Sequence, residues 1–349
     1  MFCLDWKRIW WLQRDVEPFA AGATTWEHCA VAAELPESPM PGSQDFASDP
    51  RNERVLIYLN GEMVPRAEAK VSIFDAGFVL GDGVWEGLRL HKGCLLFEQA
   101  HLDRLFEGAR AIALDIGMSR EEVSTALRRV IETNDMESGV HIRVMVTRGP
   151  KRAPNQDPRN ALGRPTVVIV AEHKEPSNAI ATTGLKLATS SIRCTPANMF
   201  DMRLNSHSRL NLIRALLDAI RSGADEALML DPHGFVSSCN ATNFFFARGG
   251  ELRTSTGEYC FNGITRSNII ALSHAHGIPI HLGDFTLDDV YEADEAFVTG
   301  TFGGVTPVSE IDGRVLRGGL PGPLTLRLRQ LYAELKDAEA ARPAGARHG

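Results

Sequence analysis

The stretch Asn198-Met-Phe-Asp-Met-Arg-Leu-Asn-Ser-His-Ser-Arg-Leu-Asn-Leu-Ile-Arg214 gathers an unusual density of polar side chains at a point where an extended run hands over to a helix. Asn205 sits at its centre. Beyond it, Leu210, Ile213, Leu216, Leu217 and Ile220 recur at three- and four-residue spacing and Gly223 follows, so residues 208–222 read as an amphipathic helix stopped by a glycine. Ser206 or Ser208 is the expected cap of its start. If the residues leading into the helix are extended, side chains alternate, placing Asn205 and His207 on one side and Ser206 on the other. A neutral amide and an imidazole then share a face.

Working outward, the chain of 349 residues is 44% hydrophobic and has room for two domains of ordinary size with packed cores. The formal net charge of −7, with no long basic cluster, gives no footing for nucleic acid or an anionic membrane, and neither partner is expected. Cys3, Cys29, Cys94, Cys194, Cys239 and Cys260 are dispersed without a Cys-x-x-Cys pair. That pattern argues against a metal site or disulfide framework and for a reducing, cytoplasmic setting. No run of about eighteen apolar residues is present, and the first residues lack the apolar core of a secretory signal.

Residues 1–53 read as an N-terminal extension. They hold four of the five tryptophans and then a Pro/Ser/Glu-rich stretch poor in core-forming residues. The cluster Trp6, Trp10 and Trp11 is suited to packing on the body or a partner subunit, or to lying over a site mouth. A first domain is expected over 54–173, opening with a hairpin turned by Asn60-Gly61. It continues with a helix over 101–114, whose apolar face is Leu102, Leu105, Ala109 and Ile112 and leaves Arg104 off the stripe, then a helix over 121–134 and an alternating strand over 141–149. A turn-rich linker is placed at 174–183. The second domain spans 184–336, with a hairpin around Asp231-Pro-His-Gly234, a glycine turn before a helix at Asn262-Gly263, and a last helix over 324–336; residues 337–349 read as a frayed tail.

Five segments carry a resemblance: Asp201 to Asn211, Glu226-Ala-Leu-Met-Leu-Asp-Pro-His-Gly-Phe-Val-Ser-Ser238, Asn243-Phe-Phe245, Asn262-Gly-Ile-Thr-Arg266, and Ala296-Phe-Val-Thr-Gly-Thr-Phe-Gly-Gly-Val-Thr-Pro-Val308. In that order, within a match spanning roughly residues 54–336, they resemble the class-IV aminotransferases, the group of branched-chain and D-amino-acid aminotransferases and aminodeoxychorismate lyase. The resemblance implies an α+β, two-domain, fold-type-IV architecture like that of D-amino-acid aminotransferase, a homodimer, a small-molecule substrate and pyridoxal 5'-phosphate as cofactor. It implies that Arg104, Gly263, Ile264, Thr265 and Thr301 hold the cofactor phosphate, and that Arg143 and Arg148 lie within reach of substrate. Alone, Arg104 reads as a surface ion pair and Gly263 as an ordinary turn; together they form a set. A helix start and a guanidinium fork both suit phosphate oxygens.

Two positions depart from the family. Asn205 stands where the family has the lysine that forms the Schiff base, and Ser238 where it has the glutamate that keeps the pyridine nitrogen protonated. An amide is neither nucleophilic nor basic enough to replace the amine, and a hydroxyl cannot supply the carboxylate charge. Three readings follow. The chain binds a phosphate-bearing ligand and runs an atypical or cofactor-independent reaction with Asn205, His207, Ser238 and Cys239 around the reacting atom. Or it binds pyridoxal phosphate non-covalently as a branched-chain-type aminotransferase. Or it is a non-catalytic, ligand-binding or regulatory homologue. His207 reads either as a general acid or base or as a histidine holding the turn, and Cys239 and Cys260 either as nucleophiles or as small buried residues. No metal is expected.

Overall fold

The computed structural model describes residues 42–318 and 320–342, so the Trp6, Trp10 and Trp11 cluster and the end of the tail lie outside the described residues. The described residues belong to one compact unit built on two sheets. The first contains β1 (Leu56–Leu59), β2 (Glu62–Pro65), β3 (Gly83–His91), β4 (Cys94–Leu95), β5 (Val140–Thr147) and β6 (Thr166–His173) in the order β2-β1-β6-β5-β3-β4, antiparallel throughout. Asn60 (φ 51°) and Gly61 (φ 99°) make the expected left-handed turn between β1 and β2. Helices α1 (Ala76–Leu80), α2 (Glu98–Ala111) and α3 (Arg120–Thr133) complete this half.

Strict alternation in β5 decides which way the sheet faces. Val140, Ile142, Val144 and Val146 are fully buried against Leu102, Leu105 and Ala109 of α2 and Val123, Leu127 and Val130 of α3. His141 and Arg143, the intervening residues, are left for the opposite face. Ser119 and Glu122 close the start of α3 in a reciprocal capping box.

The second sheet holds β7 (Leu185–Thr189), β8 (Glu226–Leu230), β9 (Val236–Cys239), β10 (Asn243–Arg248), β11 (Glu251–Thr254), β12 (Ile280–Leu282), β13 (Glu295–Gly300), β14 (Gly304–Ile311) and β15 (Arg314–Val315). Its order is β12-β11-β10-β13-β14-β7-β8-β9, with β15 on β14. Strand β7 runs parallel to both neighbours and β12 parallel to β11. Around it lie α4 (Asn178–Thr183), α5 (Ala197–Phe200), α6 (Leu210–Arg221), α7 (Ile264–Ala275), α8 (Leu287–Tyr291) and α9 (Pro323–Ala341). Three consecutive phenylalanines in β10 fill both faces: Phe245 joins Phe297, Ile269 and Leu328, while Phe244 and Phe246 join Leu187, Val298 and Phe285.

Four expectations change. The helix after Asn205 runs over 210–221 with Arg209 at its cap, and neither serine caps it; Ser206 Oγ instead accepts the Ser208 amide. Its packed face is Ala215 and Ala219, whereas Leu210 and Ile213 are more than half exposed. The 174–183 linker contains α4, anchored by buried Ile180. The last helix continues to Ala341 because Asp337 binds His91 and Lys92 and Glu339 is buried, so the first residues of the expected frayed tail are helical. The end of the expected extension is tied down as well. Ser43 donates to Glu226, Phe46 bridges to Pro176, and the Asn52 side chain brackets the His173 backbone.

Candidate functional site

A cavity of about 320 Å³ opens between the two sheets. From the first sheet β3 contributes Trp85 and β5 contributes His141 and Arg143; from the second, β9 contributes Ser238 and Cys239 and β13 contributes Thr299. Helix α6 supplies an apolar wall of Leu212, Ile213 and Leu216, and the loop before α7 supplies Phe261.

Asn205 reaches this cavity because its segment pairs with β3. The Trp85 amide donates to Asn205 O at 2.9 Å, the His207 amide to Gly83 O at 3.0 Å, and Ser206 bridges Val84. Asn205 is buried and lines the cavity. His207 is not among the lining residues; its Nε2 is buried without a hydrogen-bond partner, and burial, joined by the charge of Arg143, pushes its pKa down. Asn205 and His207 therefore do not meet at one reacting position, and the imidazole packs against Gly83 instead.

The five residues expected to hold a phosphate converge on this cavity. Arg104 donates Nε and Nη2 to the two oxygens of Glu86 at 2.7 and 2.8 Å, and Nη1 to Asn262 O at 3.0 Å, directly before the start of α7. A guanidinium has five N–H groups, so two stay free. Arg104, Gly263, Ile264, Thr265 and Thr301 all line the cavity. At the start of α7 the amides of Ile264 and Thr265 have no acceptor among the described residues, and neither does the Thr301 hydroxyl. Thr299 Oγ1, buried in the same wall, is likewise unpartnered. Burial opposes ionisation of Glu86, but hydrogen bonds from Arg104 and His101 outweigh it and hold its pKa at about 2. His101, wholly buried, is driven towards neutrality by desolvation, so Arg104 is the counter-charge and His101 a neutral donor.

Elsewhere the cavity is short of acids and amines. The Ser238 hydroxyl donates to Thr242 O at 2.7 Å and accepts from Asn243 Nδ2 at 3.2 Å, so it is satisfied and uncharged. Cys194, Cys239 and Cys260 all line the cavity, and burial raises each thiol's pKa, that of Cys194 to about 12. None is a thiolate near neutrality. Burial, with Arg143, Lys174 and Arg89 nearby, pushes His141 down to about 3, leaving it neutral. No lysine lines this cavity among the described residues; Lys336 lines a neighbouring one of about 340 Å³ that shares Ile264, Thr265, Thr301 and Phe302.

Arg143 lies over Trp85, its Cζ 3.9 Å from the ring centroid. Arg148 does not reach the cavity, because Asp82 and the carbonyls of Ile112 and Ala113 take its fork. Sequence reasoning passed over Arg209, Thr299 and His141. Alternation along β5 pairs His141 with Arg143, but nothing local marks Arg209 or Thr299.

Comparison with known proteins bears on the fold and the family. The chain is 36% identical to branched-chain-amino-acid aminotransferase-like protein 1 of Arabidopsis thaliana over 89% of its own length, spanning 55% of that protein, about half. It is 35% identical to a putative branched-chain-amino-acid aminotransferase of Methanocaldococcus jannaschii, over 80% of the chain and 96% of that protein. The crystal structure of the T.th. branched-chain amino acid aminotransferase complexed with N-(5'-phosphopyridoxyl)-L-glutamate superposes with a TM-score of 0.75 at 32% identity, covering 83% of this chain and 96% of that one. The α+β, fold-type-IV architecture is thus shared. The family model described as amino-transferase class IV matches residues 83–311, and with these relatives it establishes that the chain belongs to the class-IV aminotransferases.

Proposed function

We propose that this chain uses the class-IV fold to bind a phosphate-bearing small molecule non-covalently and that its chemistry is not ordinary Schiff-base transamination. One observation carries the reading: the free N–H groups of Arg104 and the first turn of α7 meet at a cavity that no lysine among the described residues lines. Pyridoxal phosphate, the cofactor of the family, fits in part. Arg104, Ile264, Thr265 and Thr301 suit its phosphate, and the volume suits a compact ring. The aldehyde end lacks its amine, because Asn205 holds the position that the family resemblance gives to lysine, and the satisfied Ser238 hydroxyl offers the ring nitrogen no charge. No step is therefore routed through that cofactor. The protein's own groups bind and orient the ligand: Arg104 and α7 its anion, Asn205 a facing oxygen, and Leu212 and Leu216 its apolar surface.

Borohydride reduction of the purified chain after incubation with pyridoxal phosphate, followed by peptide mass mapping, tests this. No lysine adduct that depends on Arg104 is expected, whereas Asn205→Lys should gain one. An adduct on a native lysine that disappears in Arg104→Met would overturn the reading.

We also propose that two copies pair through the apolar face around α1 and the start of α6. Ile73, Phe78 and Leu210 are each about 70% exposed there. Ser208 Oγ ties the two helices together by donating to Gly81 O at 3.1 Å. Large apolar side chains exposed on adjoining elements are the kind of surface a subunit covers.

A further inference from the structure

Reading the Arg104 end as a phosphate site leaves two positive charges in the same cavity unexplained. Arg104 is neutralised by Glu86, but Arg143 and Arg209 have no carboxylate within ion-pair distance among the described residues. Removing a guanidinium from water without a counter-ion is costly, so such a charge points to an anion that comes from outside the chain.

Arg209 is the more informative of the two. Its Nε donates to Ser206 O at 3.0 Å, and its Nη2 donates to Leu204 O at 2.7 Å and to Asn205 Oδ1 at 2.8 Å. None of these acceptors is charged. The Nη1 group, with two N–H donors, has no acceptor among the described residues. By holding Oδ1, Arg209 also fixes the Asn205 amide, whose Nδ2 is left as a further donor in the lining. The guanidinium faces the same aromatic ring as Arg104: their Cζ atoms lie 5.7 and 4.3 Å from the Phe261 centroid, so they are at most the sum, 10.0 Å, apart. Two anion anchors at that separation are within the span of one small molecule.

We propose that Arg209 and the Asn205 amide form a second anion subsite, so that the cleft takes a single ligand with a phosphate at the Arg104 end and a carboxylate at the Arg209 end. This rests on the phosphate reading above and extends it to the class of ligand. Burial, and then the charges of Arg104 and Arg143, lower the pKa of Arg209 to about 10, which leaves it a cation at neutral pH. A carboxylate would offset both effects at once.

Calorimetric titration of the full-length chain with matched probes tests the proposal. Glycerol 3-phosphate is compared with 3-phosphoglycerate, and sorbitol 6-phosphate with 6-phosphogluconate; each pair differs in one carboxylate, and the two lengths bracket the distance. In at least one pair the carboxylate form should bind about 10-fold more tightly, the scale of one charge-assisted contact. Arg209→Met should abolish that preference, so that the two members of each pair bind with equal affinity. Because Arg209 also braces residues 204–206, Asn205→Asp serves as the second variant: it neutralises the guanidinium in place and should abolish the preference too. Equal affinities within both pairs, or a preference that survives Asn205→Asp, overturn the proposal while the phosphate reading stands. Failure of glycerol 3-phosphate to bind in an Arg104-dependent way removes the phosphate reading, and the proposal with it.

Discussion

Glu226 and Glu86 are both buried glutamates, and their neighbours drive them in opposite directions. Glu86 has the Arg104 guanidinium against it and stays ionised. Glu226, on the fully buried strand β8, receives only hydroxyls, from Ser43 and from Thr242 at 2.6 Å. Burial dominates there and raises its pKa to about 7. With the folded value above the ordinary 4.5, the native state holds the extra proton. The stability contributed is therefore complete below pH 4.5 and is lost as the pH rises to about 7. A shift of that size is worth on the order of 3 kcal/mol. The thermal midpoint of the native protein is expected to fall between pH 5 and pH 7 more steeply than that of Glu226→Gln, whose amide does not titrate. Parallel pH profiles for the two proteins would refute this.

Among the elements, the pairing of residues 205–207 with β3 sets where Asn205 stands, and it depends on Gly83. A Cβ added there would lie 2.5 Å from Val146 O and 2.7 Å from His207 Cδ2, so the two strands would have to part. Gly83→Ala is expected to cost about 1–3 kcal/mol in urea denaturation and to weaken the preference for the carboxylate-bearing probes as Asn205 shifts. An unchanged midpoint would show that the pairing is looser than its hydrogen bonds indicate. That contact brings together residues more than a hundred positions apart, which is why local sequence could place Asn205 and His207 on one side but not at one cavity. The alternation of β5, the Asn60-Gly61 turn and the stripe of α2 were legible because their signal is local. The apolar stripe of α6 was legible as a helix but not as an orientation. Periodicity reports that a face is apolar and leaves open what covers it, and here the small side chains Ala215 and Ala219 take the packed face. Strand β8 is buried at every position and so gives no alternating signal. Residues 263–265 lie in one of the ordered family segments, and the resemblance names Arg104 as their expected partner. Arg209 was not, because its role depends on Phe261, far along the chain.

For the whole molecule, the exposed face around Phe78 bears on assembly. Phe78→Arg is expected to convert a two-chain species to a single chain in sedimentation velocity, with folding retained because Phe78 is 71% exposed within one chain. A native protein that sediments as one chain at micromolar concentration would count against the pairing. The segment joining the N-terminal region to β1 has its own consequence for anyone trimming the protein. Shortening the chain to begin at Val55, close to where the family pattern starts, would discard Ser43, Gln44 and Phe46 together. Glu226 would lose one of its two donors, the cavity would lose the piece of wall supplied by Gln44, and the Lys174 ammonium would lose the aromatic roof 4.0 Å away. A truncated protein that handles ligands or acid differently would then be reporting a missing brace, and not the properties of the family fold.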